Sequence, residues 1–176
     1  MFGVRDSKSF DAFYAGTAKR AVAYVYAITG DLADAEDAVA EAYARAWQRW
    51  SKVGAYDDPA AWVRRVAYRV AVSGWRRARN RVTAHRRWGA GTPTAQLNPS
   101  IVYLVDALRR IPAAQRRAVV LHYLFGLSLR EIADETDSSI NAVKQRLSRA
   151  RQSLAPLLGA EDPEGRLPPK EADQHV

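Results

Sequence analysis

The stretch that most constrains this chain is Ser128 to Arg151, SLREIADETDSSINAVKQRLSRAR. Leu129, Ile132 and Ala133 fall three and four residues apart, and Ile140, Val143, Leu147 and Leu154 resume the stripe after a break. Such spacing predicts two helices that share one small core. The break, Thr136-Asp137-Ser138-Ser139, is made of residues whose side-chain oxygens bond free backbone N–H groups, so they cap helices and build turns. A short helix, a tight turn and a second helix form the helix-turn-helix pattern. The outward face of the second helix carries Lys144, Gln145, Ser148, Arg149 and Arg151. A helix fits the major groove of duplex DNA, where lysine, glutamine and arginine can read base edges. The plainer alternative is a helical hairpin with a solvated basic face.

The distribution of charge separates the chain into blocks. Residues 1–58 carry a net charge of −2, residues 59–100 carry +9 with no acidic residue, residues 101–158 carry +4, and residues 159–176 carry −3. Two basic blocks separated in sequence suggest two contacts with a polyanion, and the acidic first block suggests a different partner. There is no cysteine, which excludes disulfides and thiolate metal sites and suits a reducing cytosol. No basic start followed by an apolar run, and no apolar stretch of about 18 residues, is present, so neither a signal peptide nor a membrane insertion is expected.

Taken in order, Phe10, Phe13, Tyr14, Thr17, Ala21, Tyr24, Val25 and Ile28 predict a first helix over 9–29, stopped by Gly30. A second helix is expected from Leu32 to Trp50, capped by Asp31 or Asp34, with Ala35, Val39, Ala42, Tyr43, Ala46, Trp47 and Trp50 inward. Its other face holds Asp34, Asp37, Glu41 and Gln48. By themselves these carboxylates read equally well as a solvated face with favourable charge near a helix N-terminus. Residues 51–58, SKVGAYDD, read as a loop with one isolated aromatic, Tyr56. Asp58-Pro59 opens a third helix, with aspartate as cap and proline where its missing N–H costs nothing. Trp62, Val63, Val66, Ala67 and Val70 point inward, while Arg65, Tyr68, Arg69, Trp75 and Arg76 fall largely on the opposite side. Basic residues interleaved with flat rings suit an unpaired nucleic-acid strand. Equally, Tyr68 and Trp75 could complete a core.

Periodicity disappears over 82–100, which reads as a flexible linker; its GAGTP lacks the Gly-Lys-Ser/Thr of a phosphate loop. Helices are then expected over Ile101–Ile111, with Ile101, Leu104, Val105 and Leu108 on one side, and over Ala113–Leu124, with Val119, Val120, Tyr123 and Leu124 apolar. Residues 159–176 are polar, acidic and proline-bearing, the composition of a disordered tail. The expected fold class is all-α: two small helical domains, 1–81 and 101–158, joined by a flexible linker, 82–100, with the helix-turn-helix in the second.

In this arrangement the chain resembles the extracytoplasmic-function (ECF) group of bacterial RNA polymerase sigma factors. TGDLADAEDAVAEAYARAW resembles the family's second-region helix, and DPAAWVRRVAYRVAVSGWRR its promoter-melting helix. LRRIPAAQRRAVVLHYLFGLSLREIADETDSSINAVKQRLSRAR follows its fourth-region pattern. The short linker is what points to the ECF group, and the abundance of arginine over lysine resembles an actinobacterial branch. The resemblance implies that the acidic second helix, through Asp34, Asp37, Glu41 and Gln48, docks on the basic coiled coil of the core RNA polymerase clamp. It implies that the loop with Tyr56 captures a flipped base of the minus-ten element. Arg64, Arg65, Tyr68, Arg69 and Arg76 would hold the melted strand. Lys144, Gln145, Ser148 and Arg149, with Arg130 and Arg146 on phosphates, would contact the minus-thirty-five duplex. Expected partners are thus core RNA polymerase, promoter DNA and, as for many members, an anti-sigma factor; no cofactor and a cytoplasmic location go with them.

Three positions depart from the family's habit. Ala40 stands where glutamine is common, which weakens one clamp contact. Arg69 replaces a common asparagine, which bears on base choice. Ala142 replaces a usual threonine, removing a hydroxyl that could cap or touch phosphate. Rival readings fare less well. A response regulator would need strands alternating with helices in the first hundred residues, and helical spacing runs throughout. An enzyme would need a nucleophile–base or ligand motif, yet His85, His122 and His175 are scattered, and the Asp34/Glu36/Asp37 cluster lacks a regular oxygen-ligand loop. A stand-alone helix-turn-helix regulator, or a sigma-like adaptor that binds polymerase without melting promoters, remains the alternative.

Overall fold

The computed structural model describes the backbone of residues 4–82 and 98–159 and the side chains of residues 7–74 and 98–159. The described residues are helical, with no strand among them. Four helices form the N-terminal region: α1 (Val4–Thr29), α2 (Leu32–Gln48), α3 (Trp50–Val53) and α4 (Pro59–Val82). The C-terminal region comprises α5 (Pro99–Arg109), α6 (Ala113–Val119), a π turn over Val120–Leu124, α7 (Leu129–Thr136) and α8 (Ile140–Leu158). The expected linker and tail lie outside the described residues, save Asn98–Ser100, which open α5, and Gly159, which ends α8.

Helices α1, α2 and α4 pack around Tyr24, Val25, Ala35, Val39, Ala42, Val63 and Ala67, all buried. The alanines on α2 let its backbone approach its neighbours closely, and the rings gather at one end instead. Phe10 lies 5.0 Å from Trp47 and 5.1 Å from Trp50, while Tyr14 meets Tyr43 edge-on at 4.8 Å, centroid to centroid. Two polar atoms in this cluster find partners: Trp50 Nε1 donates to Ser9 Oγ at 2.7 Å, and the Thr17 and Tyr43 hydroxyls share a hydrogen bond of 2.6 Å. Tyr14 is nevertheless 48 % exposed, so it rims the core instead of filling it.

The capping residues act as their chemistry requires. Asp31 Oδ1 accepts the Asp34 N–H at 2.9 Å, which makes Asp31 the cap of α2. Asp58 Oδ1 accepts the Ala61 N–H at 2.9 Å with Pro59 at the first position of α4. Helix α2 stops at Gln48, two residues early, because Arg49 leaves the helical region (φ −128°, ψ 24°); Trp50 then begins α3, buried, inside what reads from sequence partly as loop. Helix α1 also starts earlier than its apolar stripe, at Val4.

In the C-terminal region Val105, Leu108, Val119, Val120, Leu121, Ile132, Val143, Leu147 and Leu154 form the core. Two expectations fail here. Tyr123 and Leu124 are 54 % and 41 % exposed, because the π turn adds a residue to the repeat and turns the stripe past them, leaving Leu121 buried instead. Ile140 and Ile101, in the first turns of α8 and α5, are 43 % and 45 % exposed.

Candidate nucleic-acid and protein interfaces

Three surfaces gather the candidate residues, and each is built differently. The first is α7–turn–α8. Ser128 Oγ accepts the Glu131 N–H at 3.3 Å, while the Glu131 carboxylate accepts the Ser128 N–H at 2.7 Å, closing a capping box at the start of α7. The Ser128 hydroxyl also donates to the Glu131 carboxylate at 2.7 Å, and this bond, then the one from the Ser128 N–H, holds the Glu131 carboxyl below its ordinary range. Asp137 takes the left-handed conformation (φ 50°) that ends α7, and Ser139 Oγ accepts the Ala142 N–H at 3.1 Å to begin α8. The cap on α8 is therefore supplied by Ser139, and Ala142 gives only its backbone. With Val143, Leu147 and Ala150 inward, Lys144, Gln145, Ser148 and Arg149 stand exposed on one face of α8. Arg130 is exposed at the start of α7, and Arg146 is half-buried, donating to Ser138 Oγ at 3.1 Å.

The second surface is the outer face of α2. Asp34, Asp37, Glu41 and Gln48 are all exposed, three, four and seven residues apart, which keeps them on one side of the helix. Partial burial and the negative charges of Asp31 and Asp37 hold the Asp34 carboxyl above its usual range. A cation brought to this face would relieve that repulsion. Glu41 already pairs with Arg45 at 2.7 Å. Ala40 is exposed on the same helix and adds no polar group.

The third surface is the loop before α4 and α4 itself. Tyr56 is 40 % exposed and Arg69 is exposed. Arg65 is half-buried, with its Nε buried and lacking a hydrogen-bond partner. The side chains of Trp75 and Arg76 lie outside the described residues. Arg64 and Tyr68 are covered by the C-terminal region. The Arg64 guanidinium donates from Nε to both Glu135 carboxylate oxygens at 3.3 Å, and from a terminal nitrogen to Glu135 Oε2 at 2.9 Å and Asp58 Oδ2 at 3.3 Å. Burial works against the charge on Arg64, but hydrogen bonding and attraction to Glu135, joined by Asp58, outweigh it and hold the guanidinium above its ordinary value. The Arg117 guanidinium lies 3.9 Å above the Tyr68 ring and donates from Nε to Tyr24 Oη at 3.0 Å. Burial in turn pushes the Tyr24 hydroxyl well above its usual value.

The seam extends beyond α4. Phe125 sits between the guanidinium groups of Arg20 and Arg64, at 4.9 and 5.3 Å from its ring centre, and meets Tyr24 edge-on at 5.6 Å. Arg116 donates to the Ile28 carbonyl. Gly30 (φ +75°) ends α1 beneath Arg109: a Cβ there would lie 2.3 Å from Arg109 Cδ. Sequence reasoning missed Arg117, Phe125 and Glu135, since nothing in their spacing tells which distant helix they meet. No group of acidic or histidine side chains suited to a metal ion occurs among the described residues, and no described helix is long and apolar enough to cross a membrane.

A helical N-terminal region bearing an acidic face and an arginine–aromatic helix, followed by a helix-turn-helix, has the layout of a helical transcription factor. Residues 8–81 match the family model of sigma-70 region 2, and residues 101–154 match that of sigma-70 region 4. The ECF RNA polymerase sigma factor SigL of Mycobacterium tuberculosis is 33 % identical over 138 residues, covering 74 % of this chain and 78 % of SigL. Among solved structures, the sigma factor RpoE of Bartonella quintana, in complex with the anti-sigma factor NepR, superposes with a TM-score of 0.74 at 23 % identity, covering 88 % of this chain and 99 % of RpoE. CnrH, in complex with the cytosolic domain of CnrY, gives 0.63 at 22 %, covering 89 % and 91 %. This chain belongs to the ECF group of RNA polymerase sigma factors, proteins of transcription initiation.

Proposed function

We propose that this chain binds core RNA polymerase, recognises a two-part promoter and promotes strand opening between the parts. Residues 1–81 form the unit that docks on polymerase and melts the minus-ten element, 82–100 the linker, and 101–158 the unit that reads the minus-thirty-five element. The observation that carries this reading is the exposed row Lys144, Gln145, Ser148 and Arg149 on α8, behind a capped α7. Arginine and glutamine in that row have the donors and acceptors for base edges, while Arg130 and Arg146 are assigned to phosphates.

The acidic row on α2 complements a basic coiled coil on the polymerase clamp, whose positive charge would offset the repulsion of Asp34 by Asp31 and Asp37. Tyr56 offers an exposed ring on a loop to a flipped base, and Arg65, Arg69 and Arg76 hold the strand; Arg64 and Tyr68, covered by Glu135 and Arg117 in this structure, join them only when the C-terminal region moves off them. An anti-sigma protein, the kind of partner named with RpoE, is proposed here as well. The reaction chemistry belongs to the polymerase, and the sigma factor adds binding and strand separation.

Run-off transcription with purified core polymerase over a genomic promoter library tests the proposal. Defined start sites sharing two upstream elements are expected. Specific duplex binding without transcript initiation would instead favour a regulator or adaptor.

A further inference from the structure

The first turn of α8 carries two residues, Ile140 and Asn141, that the row Lys144, Gln145, Ser148 and Arg149 leaves out. Ser139 already caps this helix, its Oγ accepting the Ala142 N–H at 3.1 Å, so Asn141 is not needed as a cap. The Asn141 side chain is exposed, and its amide has no hydrogen-bond partner among the described residues. Arg146, by contrast, spends its guanidinium on Ser138 Oγ. At roughly 100° per residue, Asn141 and Gln145 lie opposite the inward stripe of Val143, Leu147, Ala150 and Leu154, with Lys144 to one side and Arg149 to the other. The middle of the exposed face is therefore uncharged and its edges are cationic. Ile140 is 43 % exposed on the Lys144 side.

We propose that Asn141 is a specificity-determining residue: its amide reads an adenine in the upstream element, and Ile140 covers the methyl of a thymine beside it. The carboxamide presents an acceptor and a donor side by side, which match the N6 amino group and N7 of adenine, and an isoleucine offers the apolar surface that a thymine methyl takes. Cations hold phosphates of any sequence, so a face with amides in its middle and cations at its edges divides reading from grip. The place in the helix fits the role, because helix-turn-helix proteins contact base edges through the N-terminal residues of the second helix. Asn141 and Gln145 are four residues apart, about 6 Å along the axis. That is close to two base-pair steps of about 3.4 Å each, so the two amides address separate positions.

This inference rests on the proposed duplex-reading role of α8. Holoenzyme reconstituted from the full chain and core polymerase is allowed to bind promoter duplexes randomised in the upstream element, and the bound sequences are counted. Wild type should prefer adenine at the Asn141 position about tenfold. Asn141→Asp should turn that preference to cytosine, since a carboxylate only accepts and the N4 amino group of cytosine donates. A negative charge in the first turn suits a helix, so this variant should keep its circular dichroism. Asn141→Ala should leave the position indifferent, while Gln145→Ala should leave it intact and relax another. On a fixed duplex, 7-deazaadenine at that position should weaken wild type about fivefold and Asn141→Ala hardly at all. Uracil in place of the neighbouring thymine should cost wild type about threefold and Ile140→Ala nothing. An adenine preference retained in Asn141→Asp overturns the proposal, as does a 7-deazaadenine loss of equal size in Asn141→Ala. An equal uracil cost in Ile140→Ala removes Ile140 from the contact. Wild type with no preference at any upstream position would fault the duplex-reading role itself, whereas a preference that survives every Asn141 variant faults Asn141 alone.

Discussion

The two arginine-bearing surfaces of this protein are presented in opposite ways. On α8 the polar row faces solvent, fixed by two caps and an inward stripe that belong to its own region. On α4 the polar face is partly spent on contacts with the other region: Arg64 is 7 % exposed and Tyr68 lies under Arg117. On the proposed reading, a helix that reads duplex DNA can be complete in the free chain, whereas a face that holds an unpaired strand has no ligand until the duplex opens.

The largest expected effect lies on neither of these but on the acidic outer face of α2. Asp37→Lys with Glu41→Lys sets like charges against a basic partner, which costs several kcal/mol. Retention on core polymerase should be lost while circular dichroism stays unchanged, since both side chains are exposed. Unchanged retention would return this face to mere solvation.

On α8, Arg149→Ala and Gln145→Ala should each cost about 1–3 kcal/mol and relax preference at one upstream position. Arg130→Ala should weaken all duplex sequences alike and flatten the salt dependence of binding. Equal, sequence-independent losses at Gln145 and Arg149 would mean that the reading face is another one.

Smaller effects come from the caps that keep α8 ready. Ser128→Ala removes the acceptor for the Glu131 N–H and should lower thermal stability by about 1 kcal/mol. The Glu131 carboxyl is held below its unfolded range, so its contribution is fully present above that range and is lost as pH falls through its folded value. Acid titration followed by circular dichroism should show a small loss of helix that is completed only below the ordinary carboxylate range and that Glu131→Gln abolishes.

Much of this was legible in sequence, and the boundary has a physical cause. The helix-turn-helix could be read because Leu129, Ile132, Val143 and Leu147 obey a local period and Ser128, Asp137 and Ser139 act on neighbours three or four residues away. The acidic row on α2 was legible for the same reason. Tyr123 and Leu124 were misplaced because a π turn changes the period without any signal in residue type. The Arg64–Glu135 pair, 71 residues apart, was out of reach, as was Arg117 over Tyr68. Such contacts depend on how two separately patterned regions meet, and periodicity carries no information about that.

Whether this sigma factor itself holds an unpaired strand, through the loop and face of α4 as proposed, is read most directly by permanganate footprinting of thymines. With core polymerase on linear promoter DNA, Tyr56→Ala and the Arg65→Ala/Arg69→Ala pair should both reduce thymine reactivity, with base stacking on Tyr56 worth about 1–3 kcal/mol. Core binding and upstream duplex contacts should stay nearly intact. A pre-melted bubble should restore much of any defect in nucleating the opening, while a defect in holding the strand persists. If all these variants open linear promoters at the normal rate, strand holding does not reside on this face.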